Sequence, residues 1–221
     1  MRQFPAAQFK DFPKEFATLK KLSTPQKIQD FLDGIKINFE PKGDTCHSPL
    51  VVLQTRRAHC IEGAMLAAAA LWVHGYPPLL LDLKTINNDQ DHVVTLFKKG
   101  NYWGAISKTN HAVLRYRDPI YKTPRELAMS YFHEYFLNKN GKKTLRSYSR
   151  TPFDLSKQDT NWLTSRENLW DVAVALDVAL HTAILPKNMQ RHLRPARPIE
   201  RQAGKIVEWR KERKNIRHRE E

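Results

Sequence analysis

The chain is poor in the residues that several protein classes require. Of its 221 residues only two are cysteines, Cys46 and Cys60, so no disulfide framework can staple it. Glycine is scarce, at eight residues, and none forms a phosphate-cradling loop, which leaves nucleotide binding without support. The longest apolar run, Ala64 to Val73, is ten residues, too short to span a bilayer. The opening Met-Arg-Gln-Phe-Pro has no apolar stretch of signal-peptide length. There is no internal repeat and no low-complexity segment. Collagen-like, membrane-spanning and disulfide-scaffold classes are excluded, and a reducing, cytoplasmic setting is expected. What is present, 41% hydrophobic and 27% charged residues, is the composition of a globular protein long enough to bury a core.

Acidic residues are also in deficit. The 37 Lys and Arg against 23 Asp and Glu give a net charge of +14. Half of that excess lies in residues 186–221, with 12 basic and 5 acidic side chains; the first 185 residues carry 25 and 18. The expected organisation is therefore one domain over 1–185 and a basic, helical tail over 186–221. Such a tail suits an acidic partner such as nucleic acid, although a solvated surface helix has the same composition. Its single aromatic, Trp209, gives little for base stacking.

Along the chain, the first 21 residues read as a surface wrap. Ser23-Thr24-Pro25-Gln26 starts a helix with Ile28, Phe31, Leu32 and Ile35 on one face. A loop follows from Pro41 to Pro49, and Leu50 to Arg57 has helical character. Cys60 to His74 is Ala-rich and strongly helical, ended by Gly75 and Pro77-Pro78. Leu79 to Lys84 reads as a buried strand, Thr85 to Asp91 as a polar loop, and His92 to Phe97 and Tyr102 to Ser107 as a hairpin. Thr123-Pro124 opens a helix to about Leu137. Thr164 with Glu167 opens another to about Leu185, with Leu169, Ala173, Leu176, Leu180 and Ile184 on one face. The class is α+β, helices on a small, mainly antiparallel sheet. Trp72, Trp162 and Trp170 read as core, and Asn110-His111 and Asp118-Pro119 as turns.

The chemistry centres on Cys60. At a helix start, unsatisfied N–H groups and the helix dipole favour a thiolate, with Arg56, Arg57 and His59 expected to add to the effect. His92, at the mouth of a strand after an acidic loop, is the natural base. With a Lys99-Gly100 turn, Lys98 faces Asn101 and His92 faces Ser107, which places Ser107 to fix the imidazole tautomer. A bulge would give that place to Lys108 or Asn110. Oxyanion donors are the Cys60 backbone N–H and, as an alternative to a plain surface role, Gln54. Cys46-His47 with His59-Cys60 lacks the spacing of a zinc site, so neither a metal nor another cofactor is expected.

Arg57-Ala58-His59-Cys60-Ile61-Glu62-Gly63-Ala64, Asp91-His92-Val93-Val94 and Trp103-Gly104-Ala105-Ile106-Ser107 together resemble the transglutaminase-like superfamily. The resemblance runs from about Pro25 to Thr109. It implies a papain-like fold with Cys60 on a helix packed against the sheet and further helices C-terminal to it. It also implies Cys60 as nucleophile and His92 as base. The superfamily carries Asp where this chain has Ser107, and a hydroxyl orients an imidazole without offsetting its charge. Two functions follow as expectations. The first is a cysteine hydrolase (protease or amidase) or acyl transferase acting on a peptide or other amide. The second is a catalytically weak binding module holding an acidic partner through the tail.

Overall fold

A hydroxyl followed by proline opens three of the helices. Thr24, Ser48 and Thr123 each accept a hydrogen bond from the N–H three residues on, at 3.1–3.3 Å, while the proline takes a position whose N–H would have no partner. The computed structural model describes residues 2–211. In chain order its elements are α1 (Pro13–Lys21), α2 (Pro25–Asp33), β1 (Lys36–Ile37), α3 (Pro49–Thr55), β2 (Arg57–Ala58), α4 (Cys60–Val73), β3 (Leu79–Lys84), β4 (His92–Lys99), β5 (Tyr102–Ile106) and β6 (Arg117–Tyr121). There follow α5 (Pro124–Tyr131), β7 (Ser147–Ser149), β8 (Phe153–Asp154), α6 (Trp170–Asp177), β9 (His181–Ala183) and α7 (Pro198–Lys205).

Helix α4 lies at the centre. Every residue from Glu62 to Trp72 is buried, and a helix apolar on all sides must be wrapped on all sides. Helices α1, α2 and α3 cover it on one side, and β3 and β4 on the other. The sheet runs β6-β5-β4-β3-β7-β9, with β8 beside the start of β3, and all its pairs are antiparallel. Alternation along β4 divides the core. Val93 and Phe97 join the α4 side, whereas Val94 and Leu96 pack with Leu127 and Tyr131 of α5 on the opposite face. No helix among the described residues is long and apolar enough to cross a membrane.

The mixed class and the antiparallel sheet agree with expectation, but the sheet is larger. Strands β6 to β9 carry no alternating pattern long enough to announce them. The helix expected from Thr164 to Leu185 is cut to Trp170–Asp177. Thr164 closes the 3-10 turn Thr160–Leu163, and His181–Ala183 turns away to pair with β7. The helix from Pro124 likewise ends as an α-helix at Tyr131, continuing as a 3-10 turn over Phe132–Glu134.

The hairpin register also differs. The turn is Gly100-Asn101, with Gly100 at φ +58°, so Lys99 faces Tyr102 and Thr95 faces Ile106. Glycine first in a two-residue turn suits the positive φ that position requires. Extending this register sets Ser107 opposite Val94 rather than His92, a shift of two residues. Side chains alternate with a period of two, so His92 and Ser107 keep the same sheet face and meet diagonally.

Three contacts lock the helix start to the sheet. Thr95 Oγ1 donates to the Ala64 carbonyl at 2.6 Å, one turn from Cys60. Gly63 lets the Lys108 side chain cross α4 at close range; a Cβ there would lie 2.4 Å from Lys108 Cβ. Lys108, 1% exposed, then donates from Nζ to the Leu32 and Ile35 carbonyls at 2.7 and 2.6 Å, closing the end of α2. Residues 207–209 lie against the loop after β5: Asn110 exchanges hydrogen bonds with the Trp209 backbone at 2.8 and 3.0 Å, and His111 bridges to Val207. Residues 212–221 of the basic segment lie outside the described residues.

Replacing Gly63 with Ala should force the Lys108 side chain, in the segment after β5, away from α4. A loss of about 1–3 kcal/mol, the usual cost of overpacking, is expected in a urea denaturation series.

Candidate active site

Cys60 is the first residue of α4, with His59 as N-cap. The Glu62 carboxylate reaches back to the His59 N–H at 2.9 Å, the spacing of a capping box. Glu62 is fully buried and also takes hydrogen bonds from the His47 N–H (3.0 Å), Thr45 Oγ1 (2.8 Å) and Asn38 Nδ2 (3.1 Å). One carboxylate thus ties the loop over residues 38–47 to the helix start. The same loop anchors His59, whose Nε2 lies 2.9 Å from the Thr45 carbonyl, 3.4 Å from Glu62 Oε1 and 3.5 Å from Glu40 Oε1. A carbonyl only accepts, so His59 Nε2 carries a proton.

His92, at the start of β4, is buried, and its Nε2 lies 2.8 Å from Ser107 Oγ. Ser107 Oγ is 2.6 Å from the Leu114 carbonyl. The single hydroxyl proton must go to that carbonyl, so toward His92 the oxygen accepts and Nε2 donates. The tautomer is thereby fixed with Nδ1 left for the sulfur. Ser107 is itself bracketed: its N–H donates to Gln29 Oε1 and its carbonyl accepts from Gln29 Nε2, both at 2.9 Å. Leu114 adopts φ +62°, a strained conformation for a branched side chain. Its N–H donates to Glu134 at 2.6 Å, and Glu134 is held in turn by Arg117 at 2.6 Å.

The Cys60 sulfur meets both imidazoles at the floor of a cleft of about 390 Å³. Burial by itself would raise the thiol pKa. Hydrogen bonds from His59 and His92, with their charges, outweigh it and bring the thiol from 9.0 down to about 5. The same pairing acts on His59. Burial disfavours its charge, but the hydrogen bond and charge of Cys60, then Glu62 and the Thr45 carbonyl, raise it to about 9. The arrangement holds a thiolate between the anchored His59 ring and the oriented His92 ring, both of which donate to it. As the first helical residue, Cys60 also presents an N–H with no intrahelical acceptor.

The structure therefore brings Cys60, His92 and Ser107 together and separates the other candidates from them. Asn110 uses its amide on Trp209 and is not the partner of His92. Lys108 turns its ammonium into α2. Gln54 lies on the exposed side of α3 and donates to Glu15 at 3.0 Å, so it supplies no oxyanion donor. Arg56 lies over the Phe31 ring at 4.2 Å, and neither it nor Arg57 lines the cleft. Cys46 is buried in the core, its thiol pushed up to about 12 by burial and by the charge of Glu62. Among the described residues no group of three or more His, Cys, Asp or Glu has metal-site geometry. Glu62, Gln29 and Leu114 were not foreseen. Of these only Glu62, three residues after its cap, carried a local signal.

No family model matches the chain, and no curated protein matches it. Among solved structures it is similar to calcium-bound LapG of Legionella pneumophila, at 16% identity and TM-score 0.35 over 49% of this chain and 66% of that one. For the EGTA-treated form of LapG the values are 17%, 0.33, 49% and 64%. The chain thus spans just under two thirds of the length of those structures.

Iodoacetamide should alkylate Cys60 at a rate that is flat from pH 8 to 6 and falls through a midpoint near 5. An ordinary thiol would lose about tenfold per pH unit across that range. His59→Gln and His92→Gln should each move the midpoint upward, since each removes a donor to the thiolate. A midpoint unmoved by both removes the ion pair.

Proposed function

We propose that the protein is a cysteine-nucleophile hydrolase of transglutaminase-like architecture that cleaves an amide bond, with acyl transfer as the variant in which an amine replaces water. The observation that carries this reading is the sulfur of Cys60 set at a helix start against an imidazole whose tautomer Ser107 fixes.

The Cys60 thiolate attacks the amide carbon, forming the C–S bond while the carbonyl electrons move to oxygen. The Cys60 N–H and the positive end of α4 stabilise that oxyanion. As the intermediate collapses, the C–N bond breaks and His92 Nδ1 gives its proton to the departing amine. Water then loses a proton to His92 as it attacks the thioester, the acid departs, and the thiolate–imidazolium pair is restored. Ser107 is a positioning residue in this scheme. It keeps Nε2 protonated but puts no negative charge behind the ring. His59 holds the thiolate and gives up no proton, because its ring is pinned between Thr45 and Cys60.

p-Nitrophenyl acetate tests the scheme without a known substrate. Wild type should show acetyl on Cys60 by mass spectrometry, followed by turnover. Cys60→Ala should show neither, His92→Gln should acylate slowly and deacylate about a hundredfold more slowly, and Ser107→Ala should fall between. Turnover that survives Cys60→Ala sinks the proposal.

The acidic-partner reading of residues 186–221 stands as a second proposal, favoured by the exposure of Lys187, Arg191, Arg194 and Arg197. Binding to duplex DNA or RNA should then be measurable at low salt and fall steeply as salt rises. No binding at 20 mM salt would remove it.

A further inference from the structure

Ser107 stands just past the end of β5, and its N–H and carbonyl go to a side chain rather than to a neighbouring strand. That side chain is Gln29, buried on α2. Its Oε1 accepts from the Ser107 N–H and its Nε2 donates to the Ser107 carbonyl, both at 2.9 Å. The other Nε2 hydrogen goes to Asp33 Oδ1, one turn on in α2, also at 2.9 Å. The amide has a single workable orientation. Flipped, it would set its NH2 group against an N–H and its oxygen against a carbonyl and a carboxylate.

Two further contacts bring α2 to the same place. Lys108, the next residue after Ser107, donates from Nζ to the Leu32 and Ile35 carbonyls. Asp33 Oδ1 also lies 3.6 Å from Arg115 Nη1, and Arg115 follows Leu114, whose carbonyl takes the Ser107 hydroxyl proton. One short helix therefore reaches both ends of the Ser107–Leu114 hydrogen bond, and its two arms meet where Gln29 touches Asp33. The Asp33–Arg115 pair is partly exposed and contributes little by itself, so the buried amide is the stronger arm.

A serine hydroxyl is a short lever. Its oxygen is placed by the direction of the Cα–Cβ bond and by one torsion. Gln29 fixes the peptide groups on both sides of Ser107, and with them the bond direction; the Leu114 carbonyl fixes the torsion. With the amide removed, the backbone at Ser107 can turn, and the 2.8 Å contact of Oγ with His92 Nε2 is lost or lengthened.

We infer that Gln29 is a positioning residue of the proposed reaction, acting through the Ser107 hydroxyl to hold the His92 ring in line with Cys60, an inference that rests on the reading of Cys60 as nucleophile and His92 as its acid and base. A Gln29 that only satisfied a strand end would stabilise the fold without acting through that hydroxyl. The two roles differ in whether the loss of Gln29 still matters once the hydroxyl is gone.

A double-mutant cycle on the full chain separates them, read as the rate at which acetyl-Cys60 formed from p-nitrophenyl acetate is hydrolysed. Gln29→Met keeps the length of the side chain and removes all of its hydrogen bonds. In the wild-type background it should slow deacylation about tenfold. In a Ser107→Ala background the same change should cost less than about twofold, because the group it places is absent. The midpoint of Cys60 alkylation should also move upward in Gln29→Met, in the direction expected for His92→Gln. Gln29→Glu turns a second oxygen on the Ser107 carbonyl; it should behave as Gln29→Met does, and completes the cycle should Gln29→Met not fold. Equal slowing in both backgrounds, or no slowing in the wild-type background, overturns the inference and leaves the nucleophile standing. A wild-type chain that never forms acetyl-Cys60 overturns both.

Discussion

A hydroxyl has one proton, and Ser107 gives its proton to the Leu114 carbonyl. The direction of every hydrogen bond around His92 follows from that. Nε2 must donate, Nδ1 faces the thiolate, and the ring is held in one orientation without a carboxylate behind it. A carboxylate at the same place would orient the ring and also stabilise its charge. Here that electrostatic part is carried on the other side of the sulfur, where His59 is anchored by the Thr45 carbonyl and lies close to Glu62 and Glu40. In the proposed mechanism the two tasks of a cysteine site, holding a thiolate and moving a proton, fall to two different imidazoles.

The Leu114 carbonyl is therefore a demanding position, and the fold supports it from several directions. The strained φ at Leu114 is held by Glu134 from the turn after α5, and Glu134 by Arg117 of β6. Tyr131 donates to the Arg115 carbonyl at 3.0 Å. From the other side the chain after α7 runs along residues 110–112, with Ala112 donating to the Ile206 carbonyl and Asn110 clamped on Trp209. Basic residues 186–211 thus include a strap that steadies the loop behind Ser107. Asn110 and Glu134, although neither touches the sulfur, belong to the chain of contacts that ends there.

Legibility in the sequence followed the range of the interaction. Helix α4 and strands β3 and β4 could be read because Ala-rich composition, terminal Gly75, the short leucine run of β3 and the Val-Val-Thr run of β4 are local signals. The helix expected to reach Leu185 could not be read correctly, since Leu169, Ala173 and Leu176 do form an apolar stripe. What ends the helix is the pairing of His181–Ala183 with β7, a choice made by the sheet. Trp170, read as core, stands 46% exposed because the shortened helix presents only part of its stripe inward. Gln29 and Leu114 carry no local pattern at all; their roles exist only once α2 and the loop over 110–115 are brought to Ser107.

By itself, the order of residues determined that a cysteine would sit at a helix start, that a histidine would begin the adjoining hairpin and that a small polar residue would follow on the next strand. Helix capping, strand propensity and side-chain alternation act within a few residues, and the period of two kept Ser107 on the correct face even with the hairpin register displaced by two. Tertiary structure decided which donor faces which acceptor. It removed Gln54, Arg56 and Asn110 from the site and turned Lys108 inward. Hydrogen-bond direction and charge depend on ångström distances between segments far apart in the chain, and those distances are fixed only by the packing of the whole.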